Sequence, residues 1–328
     1  MSVIIPTYNN RRVLRQTIAA LLAQDFPPGA YEVIIADDGS TDGTAEMVQA
    51  VRGPVPVRYV PQRNRSRAAA RNLGTRQARG RILMFLDSDL WAAPVLLAEH
   101  YKHYATASRR VGVKGRSITH PDARGSLFMQ VKEMGPDLTV QRTGDLSPFH
   151  VTSRNLSVRR ADFEEAGGFD EAFGGYGWED MELAMRLRAA GVVFEYEPLA
   201  LGFHYHAETL EGNVRKLREA GEGAVYFWRK HRRSRHIGMF LEIAPAVLPL
   251  KWLVYRTPLI TPLVRATLPA AEARRWRLIL AECYNHLIWR AYYDGVFRAM
   301  RHRVSAANAA QRHGEDPRHG EDPAQTAP

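Results

Sequence analysis

Three short apolar runs each stop abruptly at a cluster of polar or acidic side chains. Val3-Ile-Ile-Pro-Thr7 is cut off by Pro6. Tyr31-Glu-Val-Ile-Ile-Ala36 runs into Asp37-Asp-Gly-Ser40, and Arg81-Ile-Leu-Met-Phe-Leu86 into Asp87-Ser-Asp89. Unbroken apolar runs of this length, without polar alternation, are strands covered on both faces. Helical spacing fills Val13 to Ala23, Ala45 to Val51 and Arg67 to Ala78, and Val55 to Val60 forms one more strand. Strands alternating with helices predict an α/β chain, a mainly parallel sheet flanked by helices. In such sheets ligands sit beyond the carboxyl ends of the strands, where the acidic clusters fall.

The rest of the chain divides by charge. Residues 1–210 carry 25 basic and 24 acidic side chains, whereas 211–303 carry 18 and 7. The net charge of +10 therefore belongs to a basic segment, which argues against nucleic-acid binding by the whole chain. From Val111 to Leu201 the pattern is mixed, with strands expected near Val151 and Val192 and a helix from Asp180 to Ala190. Residues 211–304 read as a basic, mostly helical extension. Residues 305–328, with Arg-His-Gly-Glu-Asp-Pro repeated, are expected to be disordered. Cys283 is the only cysteine, which excludes a disulfide framework and a Cys-rich zinc site. No secretory pattern precedes Val3, so a cytoplasmic setting is expected. No uninterrupted run of about 20 apolar residues predicts a spanning helix. Trp276, Leu280, Cys283 and Leu287 share a helical stripe among arginines. It either lies on an anionic membrane surface, giving peripheral attachment, or packs on the preceding domain.

Several clusters could carry chemistry. Asp87 and Asp89 bring two carboxylates to one strand end, which suits a hard divalent cation or a helix cap. Asp37 and Asp38 could accept from a base N–H or a ribose, or simply shape a turn. Arg71 could contact a diphosphate or remain a solvated helical residue. In Gly174-Gly-Tyr-Gly-Trp-Glu-Asp180, Gly177 permits a close backbone turn and Trp178 offers a flat face to a sugar ring. Asp180 opens a helix, either to bind an acceptor or to cap. His204 and His206 would face one side of a strand, with Tyr205 on the other.

Together these stretches resemble an inverting glycosyltransferase of the Rossmann-like GT-A fold, family 2. The resemblance is carried by Val-Ile-Ile-Pro-Thr-Tyr-Asn at 3–9, Ala-Asp-Asp-Gly-Ser-Thr-Asp at 36–42 and Ala-Ala-Arg-Asn-Leu-Gly at 69–74. Leu-Asp-Ser-Asp at 86–89 and Gly-Gly-Phe-Asp-Glu-Ala-Phe-Gly-Gly-Tyr-Gly-Trp-Glu-Asp at 167–180 complete it. The last stretch is similar to the C-terminal half of galactosyltransferase and chondroitin-polymerase catalytic domains. The resemblance implies a catalytic domain over 1–210. It places nucleotide contacts on Pro6, Thr7, Tyr8, Asp37, Asp38, Arg71 and Asp87, and metal ligands on Asp87, Asp89 and His206. Asp180 would be the catalytic base with Glu179 beside it, and Tyr176, Gly177 and Trp178 would meet the acceptor. Mn²⁺ or Mg²⁺ is the implied cofactor and a nucleotide-sugar, by family habit UDP-linked, the donor. A glycan or lipid-linked saccharide is the implied acceptor, in polysaccharide or cell-envelope synthesis. A nucleotidyltransferase on a similar sheet and an inactive glycan-binding protein remain the alternatives.

Overall fold

The computed structural model describes residues 1–134, 144–258 and 260–312. The N-terminal part alternates as the apolar runs require: β1 (Ser2–Thr7), α1 (Arg11–Leu22), β2 (Glu32–Asp37), α2 (Thr44–Gln49), β3 (Val57–Pro61), α3 (Arg67–Gln77) and β4 (Ile82–Leu86). There follow β5 (Leu90–Ala92), α4 (Leu96–Thr106), β6 (Val111–Thr119), α5 (Leu127–Lys132), β7 (Asn155–Arg159), α6 (Arg160–Glu165), α7 (Glu179–Ala189) and β8 (Val193–His204). The helical remainder comprises α8 (Leu210–Lys230), α9 (Arg235–Phe240), α10 (Leu248–Arg256), α11 (Ile260–Ala273) and α12 (Arg277–Arg312).

The eight strands form one sheet in the order β3-β2-β1-β4-β7-β6-β8-β5. Its first four strands are parallel to one another, as the alternation predicts. The other half is mixed: β7 runs antiparallel to β4 and β6, β6 runs parallel to β8, and β5 runs antiparallel to β8. The sheet is thus less parallel than the sequence suggests, because β5 and β7 are short returns rather than βαβ units. Val3, Ile5, Val33 and Ile35 face the apolar sides of α1 and α4, and Ile4, Ile34, Leu83 and Phe85 face α3, α6 and α7. That two-sided burial explains the missing polar alternation.

The extension is built into this body. Phe227, Tyr292, Tyr293 and Val296 of α8 and α12 share a core with Phe173, Trp178 and Met181. Helices α8 and α12 cross at two glycines. A methyl on Gly221 would strike the Tyr292 carbonyl, and one on Gly295 would strike that of Arg218. The two backbones therefore approach more closely than any larger residue permits. Of the expected stripe, Leu280 is enclosed with Phe128 and Met129 of α5, and Cys283 is buried. Leu280 belongs to an internal core, Cys283 is buried at the edge of a surface groove, and Trp276 stays exposed. Helix α12 continues past residue 304 to Arg312, and the expected tail from residue 313 onward lies outside the described residues. Among the described residues, no helix is long and apolar enough to cross a membrane.

Candidate active site

The carboxyl ends of β1, β2 and β4 open onto a cleft of about 340 Å³, bounded by Pro6, Thr7, Tyr8, Asp38, Arg67 and Asp89 among others. Asn9 and Asn10 also line it. Asn9 sits in the left-handed region at φ 47° and ties this edge to the next loop, accepting from the Thr41 N–H and donating its own N–H to Ser40. Tyr8 projects from the same edge, half exposed. Asp37 and Asp38 separate in role. Asp37 is fully buried, with oxygens bonded to Ser40 and Tyr59, so it shapes the turn and does not line the cleft. Asp38 accepts from Gln62 and from the Arg65 N–H and does line it.

Asp87, Asp89 and His204 place one ligand atom each within 4.8 Å of one another. The pairing of β5 with β8 produces this: Leu90 lies opposite His204, and the Tyr205 N–H bonds the Asp89 carbonyl. Two carboxylates and an imidazole are a donor set that suits Mn²⁺ or Mg²⁺, so the residues fit the implied ion. Both histidines reach Asp89, His204 at 3.2 Å and His206 at 3.3 Å. Tyr205 turns away and stacks on Trp91, as the two-residue period requires. Burial opposes ionisation of Asp89, but the histidine hydrogen bonds hold its carboxyl well below the usual range. His206 also meets Lys216 Nζ at 2.8 Å through its other nitrogen, and that amine binds Glu208. His204 therefore completes the three-residue group, whereas His206 links it to α8.

Arg71 is placed differently from the sequence expectation. Its side chain is 3% exposed and lies behind the cleft, not in it. Its guanidinium reaches Asp87 at 3.1 Å, Glu179 at 3.2 Å and Asp180 at 3.7 Å. Burial disfavours its charge, but Asp180, Asp87 and Glu179 together raise its pKa further. Arg67, one helical turn earlier, is exposed, lines the cleft and lies over the Tyr176 ring at 4.8 Å. The i, i+4 spacing of two arginines was the available signal for it.

Glu179 and Asp180 stand in the first turn of α7, where the helix dipole favours negative charge. Asp180 is not the cap: Trp178 occupies that position without a side-chain cap bond. Asp180 Oδ2 accepts the Ser153 N–H at 2.9 Å, while its Oδ1 is buried without a hydrogen bond. Glu179 Oε2 is likewise unbonded, and burial, then Asp180, push the Glu179 carboxyl upward. Trp178 holds φ at 77°, a left-handed conformation costing about 1–2 kcal/mol outside glycine. Its indole N–H bonds the Ala220 carbonyl at 2.6 Å, and its ring packs against Phe227 and Phe240. The ring expected to meet a sugar is therefore partly enclosed by α8 and α9. Gly177, at φ 91°, provides the turn before it.

Comparison with known proteins identifies the family and the fold. Residues 2–167 match the family described as glycosyl transferase family 2, and residues 151–210 that described as N-terminal domain of galactosyltransferase. Validoxylamine A glucosyltransferase of Streptomyces hygroscopicus subsp. limoneus is 34% identical over 249 residues, covering 66% of this chain and 54% of the relative. Chondroitin synthase of Pasteurella multocida is 30% identical over 260 residues, 68% of this chain and 26% of its own. The chain thus spans about half the length of the first of these relatives and less of the second. Among solved structures, the mannosyltransferase PcManGT of Pyrobaculum calidifontis, in complex with GDP-Man and Mn²⁺, aligns with a TM-score of 0.60. It is 20% identical over 89% of this chain and 86% of the other. TarS 1-349 of S. aureus, in complex with UDP, aligns at 0.52 and 17% identity over 96% and 91%. Both share the GT-A fold, and with the family matched over more than half its length, the chain belongs to glycosyltransferase family 2.

Proposed function

We propose that the chain transfers a sugar, with inversion, from a nucleoside-diphosphate sugar to a hydroxyl of a glycan or lipid-linked saccharide. The observation that carries this is the buried Arg71, which ties the Asp87 side of the cleft to Glu179 and Asp180. The nucleotide lies against Pro6, Thr7, Tyr8 and Asp38, with UDP the expected nucleotide. Arg67 takes the diphosphate contact that the sequence pattern put on Arg71. Mn²⁺ or Mg²⁺ held by Asp87, Asp89 and His204 would neutralise charge developing on the diphosphate. His206 orients Asp89 from outside that set.

The acceptor hydroxyl approaches the anomeric carbon from the face opposite the diphosphate, with the Asp180 carboxylate as its proton acceptor. The new bond joins the acceptor oxygen to the anomeric carbon as the bond to the phosphate oxygen breaks, and the proton passes to Asp180. A carboxylate is a weak base, so positioning carries much of the rate. The Ser153 N–H and Arg71 fix the Asp180 carboxylate before the acceptor arrives. Glu179 holds Arg71 with one oxygen, and its other oxygen is buried without a hydrogen bond. Tyr176 and Gly177 border the acceptor path. Trp178 shapes that path through its backbone more than through its ring.

A thermal-shift panel of UDP, GDP, CDP and dTDP, with and without Mn²⁺, tests the donor site. A shift confined to one nucleotide and dependent on metal is expected, whereas no shift with any nucleotide in folded protein overturns the reading. Asp180→Asn should abolish transfer and leave that shift intact. Full activity in this variant would refute the assignment of the base.

A further inference from the structure

Helices α10 and α11 and the start of α12 carry a surface that the transfer reaction does not use. Leu250, Trp252, Leu253, Leu263, Leu278 and Ile279 are between 41% and 76% exposed there. Leu278 and Ile279 border an open groove of about 560 Å³, lined also by Tyr255, Val264 and Glu282. Leaving so many large apolar side chains in water is unfavourable, and clustered exposure of this kind marks a contact surface.

The charges around it point to one partner. Arg265, Arg274, Arg275 and Arg277 are exposed, and none forms an ion pair among the described residues. The acidic residues between 239 and 283 are Glu242, Glu272 and Glu282. Glu242 is engaged with Lys251 and Tyr293, and Glu272 with the Tyr284 hydroxyl, while Glu282 is exposed on the groove lining. The patch therefore presents aliphatic side chains and tryptophan beside four exposed arginines and one exposed carboxylate, a net positive surface. A nucleic acid would use the arginines and leave the leucines in water. An anionic bilayer surface takes both, the apolar groups below the headgroups and the arginines among the phosphates.

We infer that this surface docks the chain on an anionic lipid surface, through α10, α11 and the start of α12. Helices α10 and α11 are 9 and 14 residues long, which suits lying at the interface.

Flotation of the full chain with phosphatidylcholine vesicles, with or without roughly one-third phosphatidylglycerol, tests this with no nucleotide present. UDP binding is measured separately, so failure here and failure of the transfer reading are distinguishable. Preferential binding to the anionic vesicles, weakened by salt, is expected. Arg274→Gln with Arg275→Gln should weaken partitioning by about fivefold per arginine. Trp252→Ser with Leu253→Ser should weaken it at least about tenfold. Both variants should retain the wild-type circular dichroism. Equal partition into neutral and anionic vesicles, absence of binding by folded protein, or indifference to both pairs of substitutions overturns the proposal. So does a lipid-indifferent dimer, seen by light scattering, that the Trp252/Leu253 variant dissolves, since the occupant is then a second copy.

Discussion

Replacing Arg71 by methionine keeps most of the stem's volume and removes a charge on which three carboxylates converge. Asp87 is 27% exposed, so water screens it and its share is small. Glu179 is 6% exposed and has no such relief. Stranded without Arg71, it escapes by binding a proton. That costs about 1.4 kcal/mol for each pH unit above its unfolded value near 4.3. The ceiling is therefore about 3.7 kcal/mol at pH 7, within the range of about 3–5 kcal/mol for broken buried pairs. At pH 5 it falls to about 1 kcal/mol. The sign follows from linkage: the variant's folded state holds a proton that its unfolded state releases, so the variant loses stability as pH rises. Urea unfolding of both proteins at pH 5, 6 and 7, followed by circular dichroism, measures the difference. Arg71→Lys should recover only part of the loss, because a compact ammonium cannot contact three carboxylates as a planar fork does. A loss below about 1 kcal/mol at pH 7, or one that does not shrink at pH 5, would refute the reasoning.

Asp89→Ala should erase the difference between nucleotide thermal shifts measured with and without Mn²⁺, and an unchanged difference would remove Asp89 from the metal group. His100 is fully buried between Ser157 and Asn155, and burial lowers its pKa to about 4. Its unfolded form takes up a proton first as pH falls, so it should cost the fold about 3 kcal/mol between pH 6.5 and 4. Unfolding of His100→Gln across that window should show a correspondingly flatter slope, and equal slopes would contradict the assignment. Gly221→Ala gains about 1 kcal/mol in helix propensity but must part α8 from α12. A net loss of about 1–3 kcal/mol in thermal unfolding is expected, and a stabilised variant would disprove the close crossing.

The strands that build the cleft were legible because β1, β2 and β4 are buried on both faces and end in acidic or polar clusters. Strand β6 was not read out individually, because Gly112, Lys114 and Gly115 interrupt its apolar run. The juxtaposition of Asp89 with two histidines depends on pairing between β5 and β8, more than a hundred residues apart in sequence. Arg71 was identified as a site residue and expected toward a diphosphate, and in the structure it contacts Asp87, Glu179 and Asp180. Nothing local announces that residues 87, 179 and 180 converge on it. Trp178 was read as a sugar platform because an aromatic follows glycines; that residues of α8 and α9 contact its ring depends on helices that the local pattern does not announce. The stripe from Trp276 to Leu287 showed amphipathicity without saying what covers the apolar side. In the fold, α5 covers part of it.

The glycine crossing of α8 and α12 bears on how such chains can be recombined. Cut at residue 210, the chain would leave Phe173, Trp178 and Met181 without the helices that cover them. An extension grafted from a relative would need to supply its own pair of closely approaching helices and a matching carbonyl for the Trp178 indole. The loop at 173–178 and the two glycines forty-odd residues and more beyond it therefore form a single unit of inheritance. A chimera that joins them from different parents should fold poorly even when each half is sound.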